Sequence, residues 1–253
     1  MTIELALTPD TWRADPAADL IAAASGAGFA ALGLKEQDAD ASCAALLAAA
    51  GLRCHELLAL AVTADEEATL RHARRLAAAA AAVRAPWVLT AFLAPLDRTT
   101  TPLIGRCAAV LAEADAGLAV EFSPLGPVSS IAAALEVADA AGAGRAGVLI
   151  DSWHFFRGDS AWEQLACIPL ERIAYVQFDD APAPAGDSAM KETMHRRVMP
   201  GDGTFELERF AATLLDRGWS GTASVEVLNA GLRRLPVPEF AELACQTAAR
   251  YWL

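Results

Sequence analysis

"GVLIDSWHFFRGD", residues 147–159, carries a short apolar run straight into Asp151, with His154 three positions further on. A strand without polar alternation belongs to a sheet covered on both faces, as in parallel α/β folds. A carboxylate closing such a strand must be hydrogen-bonded, paired or bound to a cation, because a bare buried charge is expensive. The reading of this stretch therefore turns on which other strand ends meet it.

Working outward, strand-like runs recur at 2–8, 31–36, 52–60, 87–93, 117–124, 146–152, 173–181 and 222–229. Alanine- and leucine-rich stretches alternate with them at 16–27, 39–50, 66–84, 100–115, 128–142, 160–166, 205–216 and 237–252. Those compositions and spacings favour helix. Strand–helix units of this number in a chain of 253 residues match a (β/α)8 TIM barrel. The competing α/β layout is an open doubly wound sheet, but no G-x-G-x-x-G follows the first strand. No linker or compositional break divides the chain, so residues 1–253 read as a single domain. The longest irregular segment, 180–204, lies between the seventh strand and its helix. A loop of that length in a compact barrel is commonly a lid or a substrate-gripping segment.

The net charge of −12, from 32 acidic and 20 basic residues, argues against broad electrostatic binding of nucleic acid. No apolar run reaches membrane-spanning length, and "MTIELALTPDTW" lacks the basic start of a signal peptide. A cytoplasmic protein without a membrane partner is expected. Cysteines 43, 54, 107, 167 and 245 are scattered and form no C-x-x-C pair, which excludes a disulfide framework and a cysteine zinc site as expectations. The alanine-rich helices leave a homo-oligomer open.

In a barrel, reactive groups come from the C-terminal ends of several strands. Here the later strands carry Glu121 in "LAVEF", Asp151 in "VLIDS", Gln177 in "YVQFDD" and Glu226 in "SVEVLN". Three carboxylates in one place drive one another's pKa upward, and a divalent cation resolves that conflict. Donors of oxygen alone suit Mn²⁺ or Mg²⁺ better than Zn²⁺. The bland alternative is that each residue satisfies a neighbour inside a barrel layer. Buried acids are rare unless paired, and their shared position at successive strand ends weighs against it.

These residues, with "DSWH", "VQFDD", "RVMPGDG" and "SVEV" in that order, make the chain resemble the xylose-isomerase-like barrel superfamily. Its members include sugar-phosphate isomerases and epimerases, ketose 3-epimerases, inosose dehydratases and isomerases, and endonuclease IV. The resemblance implies one divalent metal ion, Mn²⁺ or Mg²⁺ first and Co²⁺ or Zn²⁺ next, held by Glu121, Asp151, Gln177 and Glu226. It casts Glu121, Glu226 and His154 as the proton-transfer groups, and Arg197 with His154 as substrate contacts. Glu56 and Lys35, near the ends of strands three and two, are further pocket candidates. Ketose epimerases usually place a histidine where this chain has Gln177; a glutamine there is similar to 3-dehydroshikimate dehydratases. Endonuclease IV is set aside, because its multi-zinc cluster needs more histidines than the four present.

The implied reaction is proton abstraction next to a carbonyl of a sugar, sugar phosphate or keto-polyol by an isomerase or epimerase. The alternative is a dehydratase of the 3-dehydroshikimate or inosose type acting on a keto-acid or keto-polyol. A substrate carboxylate would call for basic groups at the mouth, and Lys35, Arg157 and Arg197 are the candidates. A barrel that only binds a polyol or a partner protein is the non-enzymatic reading.

Overall fold

Several helices start on a side chain that satisfies one of their free amides. Asp40, Asp65, Ser130, Asp151 and Ser188 each accept the backbone N–H three residues on, at 2.8–3.3 Å. Such a cap contributes about 1 kcal/mol. These caps mark where the chain leaves a strand or loop and turns into helix.

The structure, a computed structural model, describes residues 2–98, 100–142, 145–186 and 188–253. In chain order the elements begin with β1 (Glu4–Leu7), α1 (Ala17–Ala27), β2 (Ala31–Lys35), α2 (Ala41–Ala50), β3 (Arg53–Val62) and α3 (Glu66–Val83). They continue with β4 (Trp87–Phe92), α4 (Thr100–Ala112), β5 (Gly117–Glu121), α5 (Ile131–Ala141) and β6 (Ala146–Asp151). The rest comprises α6 (Ser152–Arg157), α7 (Trp162–Cys167), β7 (Ile173–Phe178), α8 (Ala189–His195), α9 (Leu207–Leu215), β8 (Thr222–Val225) and α10 (Val237–Trp252). All strands pair in parallel with their sequence neighbours, and β1 pairs with β8 to close the barrel. The expected TIM barrel in a single domain is what the chain forms.

Two cores result. Outside the barrel, helix faces with apolar residues three and four apart pack on the strands. In α9 these are Leu207, Phe210, Ala211 and Leu214, all buried. Inside, a separate layer of Leu58, Leu89, Ala119, Leu149 and Tyr175 fills the lumen. Side chains alternate across a strand. With Ala119, Leu149 and Tyr175 pointing inward, Glu121, Asp151 and Gln177 lie on the same face one step nearer the C-terminal mouth.

The structure corrects two element expectations. The sixth strand stops at Asp151, and α6 starts at once because that carboxylate caps it. The segment 180–204, of which residue 187 lies outside the described residues, contains α8 over the mouth. Among the described residues, no helix is long and apolar enough to cross a membrane.

Candidate functional site

Asp151 faces Gln177 in the β6–β7 register, and Gln177 faces Ser224 in the β7–β8 register. Glu226 follows β8 directly. The barrel thus brings the strand-end residues to one side of its mouth. Donor atoms of Glu121, Asp151 and His154 all lie within 4.8 Å of one another. His154 Nε2 is 3.5 Å from Glu121 Oε1, so the histidine stands closer to the acidic group than the motif pattern implies.

Arg197 organises the other half of the cluster. It is 2 % exposed, and its Nη1 donates to Asp151 Oδ2 at 2.8 Å, Asp179 Oδ2 at 2.6 Å and Glu226 Oε2 at 3.3 Å. Its Nη2 donates to Thr193 Oγ1 at 2.8 Å, and the guanidinium lies over the Trp153 ring. The anchor for this arginine is the "RVMPGDG" segment. Asp180 accepts backbone N–H groups of Gly201, Gly203 and Phe205 at 3.2, 3.1 and 3.0 Å. Gly201 has φ +93°, and a Cβ on Gly203 would stand 2.2 Å from Asp180 Oδ1. The glycines are there for turn geometry and close approach.

The charges are strongly coupled. Burial raises the Asp151 carboxyl, but the Arg197 guanidinium and His154 overcome this and hold it below its ordinary value. Burial pushes Glu226 well up, with Asp151, Glu121 and Glu56 adding to it against Arg197. Asp179 is raised to about 7 by burial, with Arg197 opposing and Asp151 reinforcing. His154 is held above its ordinary value by Asp151 and Glu121, against the effect of burial.

A divalent cation fits this group. Both amide atoms of buried Gln177 lack a well-formed hydrogen bond among the described residues, although the side chain lies close enough to Glu56 to oppose the rise of that acid. A buried amide so poorly satisfied calls for an explanation such as an ion. Four carboxylates, Glu121, Asp151, Asp179 and Glu226, also gather around Arg197 and His154, which leaves a surplus of negative charge. The oxygen donors suit Mn²⁺ or Mg²⁺, and a histidine nitrogen beside them brings Zn²⁺ within range.

Glu226, Glu121, His154 and Arg197 line a cavity of about 270 Å³ at the mouth. Two expected pocket residues do not line it. Lys35 turns its Nζ onto the Arg13 carbonyl at 2.6 Å, because the loop after β1 passes within its reach. Glu56 lies deeper than a strand end, since β3 continues to Val62. It is fully buried in the lumen and accepts from the Thr8 and Tyr175 hydroxyls. Gly33 on β2 makes room for it: a Cβ there would meet Glu56 Oε1 at 2.9 Å. His55 Nε2 approaches Ser224 at 3.1 Å and Glu56 at 3.3 Å. Burial, aided by Arg53, lowers His55 to about 3, so its contact with Glu56 is not an ion pair.

Glu56 sets a pH dependence. Burial raises it to about 7, against the two hydroxyl bonds. An unfolded glutamate titrates near ~4.3. Between those values the folded chain holds a proton that the unfolded chain has released, so stability falls as pH rises. The slope is at most about 1.4 kcal/mol per pH unit for each such proton. Asp179 adds in the same window, whereas the contribution of Asp151 is lost only in stronger acid. Urea denaturation of metal-free protein between pH 5 and 7 should therefore show declining stability, and Glu56→Gln should flatten the decline. An unchanged slope in that variant would contradict the assignment.

The motif reading missed Asp179 and Thr193. The signal was present for Asp179: alternation from Gln177 puts Asp179, not Asp180, on the lumen face. Thr193 carries no such mark, because α8 lies in the segment read as loop.

Comparison with known proteins agrees with this architecture. A 90-residue stretch is 38% identical to a 3-dehydroshikimate dehydratase of Pseudomonas aeruginosa, covering 36% of this chain and 14% of that protein. An inosose isomerase of Halalkalibacterium halodurans is 27% identical over 136 residues, 53% of this chain and 44% of that one. The chain thus matches less than half the length of these curated relatives. Among solved structures, an IolI protein with a bound zinc atom superposes with TM-score 0.86 at 18% identity, covering 98% of both chains. A D-allulose 3-epimerase from Methylomonas sp. in complex with D-allulose gives 0.77 at 15% identity, covering 99% of this chain and 98% of that one. These last two share the fold. A profile of the xylose isomerase-like TIM barrel matches residues 20–249, nearly the whole barrel, and the chain belongs to that family.

Proposed function

We propose that the chain is a divalent-metal-dependent isomerase or epimerase of a hydroxycarbonyl compound, working by proton transfer next to the carbonyl. The observation that carries this reading is the cluster of Glu121, Asp151 and His154 donor atoms at the barrel mouth. Glu121, Asp151, Gln177 and Glu226 would hold the ion, with His154 in reach of it. The chemistry such an ion supplies is Lewis-acid polarisation of a carbonyl and neutralisation of charge developing on its oxygen.

The chain's own residues then divide the proton work. Glu226, raised by burial in the metal-free site, would be ionised once a cation stood beside it. It would then take the proton from the carbon beside the carbonyl, with the C–H electron pair forming the C=C bond of an enediolate. Glu121 returns a proton to the opposite face, which inverts the centre. Exchange with water restores both carboxyls. Arg197 keeps Glu226 and Asp151 in place, and α8 with Met190 and Met194 covers the mouth against water.

Titration calorimetry with Mn²⁺ tests the site directly. Asp151→Asn should weaken binding by at least about 100-fold, since loss of a group that only supports a ligand already costs about 10–100-fold. NMR in D₂O with Mn²⁺-loaded protein and a panel of D-fructose, D-allulose and inosose tests the chemistry. Deuterium should enter at the carbon beside the carbonyl, and Glu226→Gln should slow its entry by about 10³-fold. Exchange unchanged by that substitution would sink the role of Glu226.

The dehydratase reading draws support from the matches to 3-dehydroshikimate dehydratases. It asks for a cation that receives the substrate carboxylate. Arg157 donates to the Pro182 carbonyl at 2.6 Å, Lys35 to Arg13, and Arg197 to three carboxylates. That disposition weighs against a dehydratase of the 3-dehydroshikimate type.

A further inference from the structure

The cavity at the mouth has two unlike halves. One carries Glu121, Glu226, His154 and Arg197. The other is hydrocarbon: Leu58, Leu89 and Phe92 on β3 and β4 form a wall, and Leu93, Leu125 and Met190 continue it outward. Those three rim side chains are 72 %, 41 % and 55 % exposed. Three large apolar side chains exposed together at the opening of a cavity mark a recognition surface.

The same cavity is poor in free positive charge. Arg197 is the one lysine or arginine among its lining residues, and it already faces three carboxylates. Arg196 faces Glu192, Arg233 faces Asp10 and Arg13 faces Asp15, whereas Lys191, next to Met190, is exposed. A phosphate or carboxylate on the substrate would meet no free lysine or arginine among the lining residues.

We propose, resting on the metal-dependent reading above, that the substrate is an uncharged hydroxycarbonyl compound bearing an apolar substituent. Its polar head meets the acidic half of the cavity. Its hydrocarbon part runs along Leu58, Leu89 and Phe92 and emerges between Leu93 and Met190. Sugar phosphates and keto-acids are expected to bind more weakly than uncharged compounds on this assignment.

Hydroxamates test it, because they present a neutral hydroxycarbonyl-like head with a tail of choice. Calorimetry on Mn²⁺-loaded protein would compare acetohydroxamic, benzohydroxamic and 4-carboxybenzohydroxamic acids. Benzohydroxamic acid should bind at least about 30-fold tighter than the acetyl compound, a gain in line with burying a ring's apolar area. The added carboxylate should weaken binding. Leu93→Asp and Leu125→Asp, both at exposed positions, should each lower benzohydroxamate affinity about 10-fold and leave acetohydroxamate unchanged. Equal affinities for the two neutral probes, tighter binding of the carboxylated one, or no binding of any to Mn²⁺-loaded protein would overturn the proposal while the metal reading stands. Failure to retain Mn²⁺ would overturn that reading and the proposal with it. A change in sedimentation on Leu93→Asp with tail affinity unaltered would assign the rim to a second copy of the chain and overturn the proposal as well.

Discussion

Replacing Arg197 with Met should destabilise the metal-free protein by about 3–5 kcal/mol, the range for removing one member of a buried ion pair. The side chain is 2 % exposed and bonds Asp151, Asp179 and Glu226 together. Without it these acids repel one another in a poorly solvated place, and some must take up protons to fold. Urea denaturation at pH 7.5 would measure the loss. Two controls identify its cause. Mn²⁺ should recover part of it by neutralising the same carboxylates, and Asp179→Asn should cost less in the Arg197→Met background than in the native one. Arg197→Lys should not restore the native value, because an ammonium cannot reach both the acids and Thr193 as the planar fork does. A loss below about 1 kcal/mol, the level of an exposed pair, would show that the cluster is solvated.

Asp180→Ala should cost about 3 kcal/mol, given roughly 1–3 kcal/mol for each buried group left unsatisfied and partial hydration of the loop. Its carboxylate holds the amides of Gly201, Gly203 and Phe205, and its backbone pairs with Val198 next to Arg197. Gly203→Ala should produce the same defect from the other side, since its Cβ would also come within 2.5 Å of the Ala181 carbonyl oxygen. Hydrogen exchange of the amides from 196 to 205 should rise in both variants, and equilibrium denaturation should give the size of the loss. Native-like exchange in either would remove Asp180 as the organiser of this loop.

Strand alternation and alanine-rich helices made the barrel legible, because both periods are local properties of the chain. The strand ends were legible for the same reason: an acid or amide inside an apolar run stands out at Glu121, Asp151, Gln177 and Glu226. What remained hidden depends on three-dimensional approach. Lys35 ends a strand like the others, yet a passing carbonyl of the preceding loop captures it. Glu56 sits in a strand whose end the sequence does not mark, so its depth was misjudged. Arg197 was legible as a motif residue, but not its role in joining acids from β6, β7 and β8. Asp179 lay beside Asp180, and only the lumen-facing alternation separates the two.

Asp151 has both carboxylate oxygens engaged before any ligand arrives: Oδ1 receives the His154 amide and Oδ2 receives Arg197. A side chain pinned at both ends cannot sample alternative rotamers, so its conformational entropy is lost during folding and not at binding. The junction of β6 and α6 is therefore a preorganised element, rigid because the same carboxylate that faces the mouth also starts a helix. Any rearrangement of this carboxylate toward a ligand would break the cap of α6, at a cost of about 1 kcal/mol.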